Sequence, residues 1–300
     1  MTIINTLNAS GVAKVIAGEE KPTSFPSVYP APDGYDGWSK MTIEAPDNLT
    51  AENIRKDVEI AGITGTYAGG SDGKFAKLCD RTITEVTADD LAGATCLGYA
   101  CFDSCASLAS IVIPSGVTSL GNYCFNGCSS LASIDIPSGV TSLGSNCFNG
   151  CASLASIVIP SGVTSIGDTC FYKSGLASID IPSGVTSLGR YCFGYCASLA
   201  HIGLPDTATT IGNYCFYNCT ALASVTIPSG VTSIAGYCFY NCTSLTSIVM
   251  LPTTPPALGT NAFTYTSALL TITVPKGTLD AYKAATNWSA YADNMVEASG

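Results

Sequence analysis

The residues with the greatest chemical potential in this chain are its 15 cysteines, and most of them follow one pattern. A C-F-x-x-C motif recurs every 22 or 23 residues, as at Cys124 and Cys128. Paired thiols can form disulfides or bind zinc, although zinc sites favour C-x-x-C spacing in tetrahedral sets. Ser174 replaces the second cysteine in the fourth copy, and the total is odd. We therefore expect buried thiols that pack as small apolar groups, with disulfide and metal sites as the alternatives.

Other catalytic groups are sparse. A Ser-His-Asp or Cys-His centre could form only around His201, the sole histidine, which takes a position held by Ser110 and Ser133 in other copies. An exposed variant of that position is the expected role. Asp135 and Asp180 share one column two repeats apart, without the surroundings that tune a glycosidase acid. We predict that the chain is not an enzyme and has no cofactor and no metal site.

Charge is scarce in the middle of the chain, although the net charge is -10. Residues 91–250 contain five acids (Asp103, Asp135, Asp168, Asp180 and Asp206) and two bases (Lys173 and Arg190). Nucleic-acid binding requires clustered Lys and Arg, so it is excluded, and no apolar run reaches the ~18 residues of a membrane span. Residues 1–6 lack the features of a signal peptide, so we expect synthesis in the cytoplasm without one.

A repeat explains the cysteine spacing. Prolines fall at positions 114, 137, 160, 182, 205, 228, 252 and 275, within a phrase of the type I-P-S-G-V-T-S-L-G-x-x-C-F-x-x-C-x-S-L-A-S-I. A fixed period of this length predicts a solenoid whose coils bury their apolar sides by stacking. Alternating apolar residues before each proline predict a strand, and the C-F-x-x-C segment predicts a short helical turn with phenylalanine inward.

The phrase resembles the BspA-type leucine-rich repeat, whose general form is close to I-G-x-x-A-F-x-x-C-x-x-L-x-x-I-x-I-P-x-x-V. The matching residues in one copy are Phe125, Cys128, Leu131, Ile134, Ile136, Pro137 and Val140, with cysteine where alanine is usual before the phenylalanine. The resemblance implies an α/β repeat, a right-handed leucine-rich-repeat solenoid with 23-residue coils, and commonly adhesion or cell-surface contact.

The two ends differ from the repeats. Residues 48–67 resemble a short module of bacteriophage and prophage tail or tail-fibre proteins, with an unrelated small β-module as the alternative. The resemblance implies an attachment role for Asn53, Ile54, Val58, Ile60 and Tyr67. At the other end, Thr278, Leu279, Tyr282 and Trp288 predict a capping helix. The predicted domains are a β-rich attachment module and linker at 1–73, the solenoid at 74–275, and the helical cap and tail at 276–300.

Tyrosine is frequent where the copies differ, beside the Cys-Phe pair. The predicted ligand-binding residues are Tyr123, Tyr172, Arg190, Tyr191, Tyr195, Tyr214, Tyr217, Tyr237 and Tyr240. Tyrosine supplies a large contact area at low entropic cost, as in antibody paratopes, although these side chains could simply cover the turn. A second candidate face is the strand column from Val112 to Val249.

These features predict a non-enzymatic binding protein. The expected role is a phage or prophage tail-associated receptor-binding component in the virion, which recognises a bacterial surface protein or glycan. Residues 1–70 would then contact other tail proteins, and analogy with attachment proteins suggests a homo-oligomer, such as a trimer. The alternatives are a structural virion spacer or decoration protein, and a bacterial adhesin located at the cell surface.

Overall fold

The structure is a computed structural model. It describes residues 81–299 and, nearer the N-terminus, the backbone of four short strands. The chain divides into two compact units, residues 1–80 and residues 81–300. In the first unit, β1 (Val15–Ala17) pairs with β2 (Met41–Ile43), and β3 (Glu59–Ile60) pairs with β4 (Ile63–Thr64), both antiparallel.

The predicted attachment residues belong to this first unit. Ile60 lies in β3 and pairs with Ile63 of β4. Asn53, Ile54, Val58 and Tyr67 lie outside the described residues. The attachment role therefore stays a prediction.

The second unit is a parallel β-solenoid with coils of about 23 residues, which confirms the predicted fold class. One ladder of strands precedes the prolines. Its strands are β5 (Glu85–Val86), β6 (Ser110–Ile111), β10 (Ser178–Asp180), β12 (His201–Gly203), β14 (Ser224–Ile227), β16 (Ser247–Met250), β18 (Thr271–Val274) and β19 (Met295–Glu297). Along β14, Val225 and Ile227 are buried while Ser224 and Thr226 are exposed, the alternation expected of a strand with one buried face.

A second ladder follows each proline turn. In one coil the turn is closed by the Val140 amide, which donates to the Pro137 carbonyl at 3.0 Å. The ladder consists of β7 (Ser119–Leu120), β8 (Ser142–Leu143), β9 (Ser165–Ile166), β11 (Ser187–Leu188), β13 (Thr210–Ile211), β15 (Ser233–Ile234) and β17 (Ala257–Leu258). Equivalent residues of successive coils pair, such as Leu120 with Leu143, so each repeat stacks in register.

The C-F-x-x-C segment is not helical, and the predicted helical turn is wrong. We call the eight residues from the glycine to the second cysteine, 121–128 in one coil, the turn segment. The amides of Tyr123, Phe125 and Gly127 donate to carbonyls of the next coil at 2.7–2.8 Å. Alternate amides, such as that of Cys128, donate three residues back within the coil. The turn segments thus form a third row of hydrogen bonds between coils. A helix would instead keep all of these bonds within one coil.

The core is a continuous stack of phenylalanines, one from each turn segment. Neighbouring rings from Phe102 to Phe263 lie 5.0–5.6 Å apart between centroids, with nearly parallel planes along most of the stack. All of these rings are buried. Burial of apolar surface favours folding, and for these rings it is achieved only where two coils meet.

The cysteines line this core, and their burial is confirmed from Cys105 to Cys242, whereas Cys96 and Cys101 are only half-buried. The second cysteine of a coil also does more than fill space. Its thiol donates to the carbonyl of the preceding coil's phenylalanine, as from Cys128 to Phe102 at 3.2 Å. Ser174 continues the column in the fourth coil, where its hydroxyl lies 3.3 Å from the Cys196 thiol.

The C-terminal residues close the open end of the solenoid. The predicted capping helix is shorter than expected: α1 spans Leu279–Ala284, and a 3-10 helix follows at Trp288–Asn294. The Tyr282 hydroxyl donates to the Pro252 carbonyl and the Trp288 indole donates to the Pro256 carbonyl, both at 2.7 Å. The last phenylalanine, Phe263, lies 5.8 Å from the Trp288 ring and 5.3 Å from the Tyr291 ring, and Tyr282 packs on Trp288 at 5.1 Å. Within residues 81–299, no helix is long and apolar enough to cross a membrane.

Candidate binding surface

The turn segments place their variable residues in a special backbone conformation. Two positions in each coil have positive φ: the residue before the first cysteine and the residue two after the phenylalanine. The first set is Ala100, Tyr123, Asn146, Thr169, Tyr191, Tyr214, Tyr237 and Asn261, and the second is Ser104, Gly127, Gly150, Lys173, Tyr195, Asn218, Asn241 and Tyr265. Glycine and asparagine suit this conformation, which explains their frequency at these positions.

Tyrosine is less suited to positive φ than glycine, which has no Cβ, or asparagine, whose short polar side chain can form local hydrogen bonds. Even so, Tyr191, Tyr214 and Tyr237 occupy the first position in three successive coils, with φ of 52°, 59° and 56°. Left-handed backbone costs a residue about 1–2 kcal/mol. Strained residues persist where the surrounding structure holds them in place. We therefore expect contacts of the three tyrosine side chains to stabilise this conformation.

The tyrosines of the last coils form one connected group. We call it the tyrosine surface, and it consists of Tyr172, Tyr191, Tyr195, Tyr214, Tyr217, Tyr237, Tyr240 and Tyr265. Rings in contact lie 4.6–6.2 Å apart between centroids. All but one of the predicted tyrosines belong to it. Tyr123 instead contacts Tyr99 at 5.5 Å in the first coils.

Two rows within the tyrosine surface are face-stacked. Tyr191, Tyr214 and Tyr237 lie 4.6 and 5.0 Å apart with planes within 10°, and Tyr217 lies 5.1 Å from Tyr240. Stacking covers the faces of the inner rings, so the rows present ring edges and hydroxyl groups for contact. Tyr195 and Tyr265 are the most exposed members, at 38% and 65%.

A glycine gives these rings room. Gly194 takes the position after the phenylalanine, where the next two coils have tyrosine. A Cβ atom at Gly194 would lie 2.8 Å from Cδ1 of Tyr191 and 3.1 Å from Cδ2 of Tyr172. The two rings meet edge to face at 5.8 Å. The missing side chain at Gly194 therefore leaves the space in which the Tyr172 and Tyr191 rings meet.

Two cations lie on the same surface. The Lys173 ammonium is 5.2 Å from the Tyr172 centroid and 5.7 Å from that of Tyr195. The Arg190 guanidinium is 5.2 Å from the Tyr191 centroid and 5.8 Å from that of Tyr214. All four distances are within the range of cation–π attraction. The sequence predicted Arg190 as a site residue but missed the part played by Lys173, Gly194 and Tyr265.

Three hydroxyls of the tyrosine surface have a raised pKa. Burial raises the pKa of Tyr172, Tyr217 and Tyr240, and neighbouring tyrosines add to the rise through charge repulsion. These three hydroxyls are therefore neutral at pH 7 and can donate or accept hydrogen bonds.

The other candidate groups are separated from this surface. Asp180 lies 3.8 Å from His201 on exposed strand positions, at the edge of ion-pair range. The strand column that formed the second candidate face is uneven: Val158 is 82% exposed and Gly203 is half-buried. Among residues 81–299, no group of three or more His, Cys, Asp or Glu is placed to hold a metal ion.

Comparison with known proteins agrees with this architecture. The sequence profile described as BspA type leucine rich repeat region matches residues 75–200 and 164–288. The chain belongs to this family. The family is defined by a repeat scaffold and indicates no catalytic class. No curated protein matches the chain.

Solved structures with similar folds include three leucine-rich repeat proteins. One from Bacteroides ovatus ATCC 8483 is 32% identical with a TM-score of 0.56, over 61% of this chain and 52% of that one. This chain thus matches about half of that protein's length. One from T. pallidum is 29% identical over 47% of this chain and 72% of that one, with a TM-score of 0.38. A leucine rich cell surface protein from Faecalibacterium prausnitzii A2-165 is 25% identical over 67% and 62%, with a TM-score of 0.43.

Proposed function

We propose that this chain is a non-enzymatic binding protein that contacts a bacterial surface protein or glycan through the tyrosine surface. The observation that carries the proposal is the concentration of eight connected tyrosines in the last coils, three of them in successive strained positions. In the first coils the equivalent positions hold smaller residues apart from Tyr123, such as Asn146, Asn149 and Gly150. The fold tolerates those smaller residues, so covering the turn does not require tyrosine.

Adhesion at a bacterial cell surface is the setting that we favour. It agrees with the contact role that resemblance to BspA-type repeats implies. A phage or prophage tail is the second candidate, supported by the likeness of residues 48–67 to tail modules. In either setting, residues 1–70 would attach the chain to its support, and a homo-oligomeric mount would let weak single contacts sum to useful avidity.

The proposal is tested by binding of the fluorescently labelled full chain to a panel of bacteria, measured by flow cytometry. The test variant carries Tyr191→Ser, Tyr214→Ser and Tyr237→Ser together. The control variant carries Tyr99→Ser and Tyr123→Ser, which change the separate tyrosine pair. Circular dichroism checks that both variants are folded.

We expect the test variant to lose cell binding and the control variant to keep it. Equal binding by both variants would contradict the proposal. Fractionation of the producing culture separates the two settings, because an adhesin stays with intact cells whereas a tail protein sediments with virions.

A further inference from the structure

The two basic residues of the central array share one location. Lys173 and Arg190 are the only bases between residues 91 and 250, and both lie on tyrosine rings of the same surface. Both side chains are exposed. Tyr172 and Tyr191, which carry the two cations, contact each other at 5.8 Å. The positive charge of the array is thus concentrated at one end of the tyrosine surface.

Neither cation has a carboxylate within ion-pair distance among residues 81–299, where the recorded pairs are Arg81 with Asp103 and His201 with Asp180. Asp168 is the adjacent acid, and its carboxylate accepts a hydrogen bond from the Arg190 backbone amide at 2.7 Å rather than pairing with the guanidinium. A guanidinium offers five donors in a planar fork that fits a carboxylate. Both cations are therefore available to an external anion.

We propose that the tyrosine surface binds a linear, carboxylate-bearing polysaccharide. Lys173 and Arg190 hold a sugar carboxylate at one end, and the chain of sugars follows the tyrosine rows toward Tyr265. This inference rests on the proposed binding function and specifies its ligand. The exposed ring of Tyr265 provides an aromatic platform at the far end, where it contacts only Tyr240 among the described rings.

The composition of the surface suits a hydroxyl-rich ligand. Protein interfaces are also enriched in tyrosine and arginine, but they have an apolar core, and within residues 81–299 the exposed large aliphatic residues (Val112, Val158, Leu251, Leu269 and Val296) all lie outside the tyrosine surface. The stacked rows instead present ring edges and hydroxyl groups once per coil. Sugar hydroxyls can donate hydrogen bonds to such hydroxyl groups and accept hydrogen bonds from them.

The spacing of the rows points the same way. Stacked rings recur every 4.6–5.1 Å. An extended peptide places side chains on one face every ~6.8 Å, so it loses register within two coils. A second copy of this chain would keep register, but the far end of the surface, around Asn261 and Tyr265, has no acid to meet Lys173 and Arg190.

Calorimetric titration of the full chain tests this inference. The probes are polygalacturonate, the same polymer with its carboxylates methyl-esterified, and poly-L-glutamate as an acidic polypeptide. The test variant carries Lys173→Gln and Arg190→Gln. The matched control carries Lys276→Gln and Lys283→Gln, which remove two exposed lysines near the C-terminus.

We expect polygalacturonate to bind the wild type, more weakly as salt rises, and the methyl ester to bind at least about tenfold more weakly. The test variant should lose at least about tenfold in affinity for polygalacturonate, and the control variant should match the wild type. Equal affinity for the ester, no binding of polygalacturonate, or an unaffected test variant would overturn the inference. Tighter binding of poly-L-glutamate would overturn it in favour of an acidic protein partner.

The cell-binding assay separates this inference from the function on which it rests. If cell binding requires Tyr191, Tyr214 and Tyr237 but is unchanged in the Lys173→Gln, Arg190→Gln variant, the tyrosine surface binds and the acidic ligand is wrong. If cell binding also survives loss of these three tyrosines, both the proposed function and this inference are wrong.

Discussion

Replacement of Tyr214 by asparagine separates backbone strain from ring stacking, because the chain contains its own control. Tyr123 occupies the same repeat position, with φ of 59° in both residues. Asparagine relieves the left-handed strain equally at the two sites. The surroundings of the two rings differ, so a difference between Tyr214→Asn and Tyr123→Asn measures the ring contacts.

The structure sets the size of that difference. Tyr214 loses two face-stacked neighbours, Tyr191 at 4.6 Å and Tyr237 at 5.0 Å, and a tilted contact with Tyr217 at 5.7 Å. Tyr123 loses one tilted contact, with Tyr99 at 5.5 Å. Aromatic pairs contribute about 0.5–1.5 kcal/mol each, and relief of strain returns about 1 kcal/mol at either site. The two tilted contacts offset each other, so we expect Tyr123→Asn to be close to neutral, and Tyr214→Asn to be less stable than Tyr123→Asn by the two stacked pairs, about 1–3 kcal/mol.

Urea denaturation followed by circular dichroism and by tryptophan fluorescence measures both variants. The two probes matter because a solenoid can unfold from one end, and in a Trp38→Phe background the fluorescence of Trp288 reports on the C-terminal cap. Equal changes in the free energy of unfolding at the two sites would refute the reasoning, since they would mean that the stacked tyrosines contribute nothing to stability. Ring stacking would then not explain why tyrosines occupy these strained positions.

Three further predictions concern the core and the rings. Cys128→Ala should reduce the free energy of unfolding by about 1–2 kcal/mol, and Cys128→Ser by less, because serine keeps the buried donor; urea titration of both checks this. Gly194→Ala should displace the Tyr191 ring and weaken cell binding, whereas Gly98→Ala, with no atom within 4 Å of the new Cβ, should leave binding unchanged. Burial raises the pKa of Cys196 from 9.0 to about 11, so its thiol stays protonated in the folded chain while the unfolded chain ionises. The contribution of this thiol to stability should therefore be constant below about pH 8 and fall above pH 9, and an increase in stability above pH 9 would contradict the burial of the thiols.

The repeat made the solenoid predictable. The proline period fixed the coil length, and the invariant phenylalanine indicated the core, because only an inward position must be filled by the same large ring in every coil. Tyr282 and Trp288 were also recognisable as cap residues. Their hydrogen bonds to proline carbonyls were not, because those depend on how the last coil meets the cap.

The turn segment was mispredicted for a physical reason. The spacing of Cys124 and Cys128 suits one face of a helix, so the local pattern favoured a helical turn. The contrary signal was Gly127 and its asparagine counterparts, which tolerate positive φ. The stacking of neighbouring coils then decided the outcome, because alternate amides bond to the next coil, and this long-range pairing is absent from any single repeat.

The sequence predicted most residues of the tyrosine surface but not their arrangement in space. Sequence position cannot show that Tyr123 stands apart, or that Lys173 and Arg190 share one end of the surface. Tyr265 was missed because its coil, A-F-T-Y, lacks the cysteines that marked the motif. Each of these facts depends on which coils are neighbours in the folded chain.

Hydroxyl-radical footprinting of the full chain, with and without a bacterium that it binds, tests the central claim most directly. Tyrosine oxidises readily, and each site can be located by mass spectrometry after digestion. We predict that binding protects Tyr195, Tyr217 and Tyr265 from oxidation and leaves Tyr99 and Tyr123 unchanged. Protection of the Tyr99 and Tyr123 pair without protection of the tyrosine surface would contradict the account.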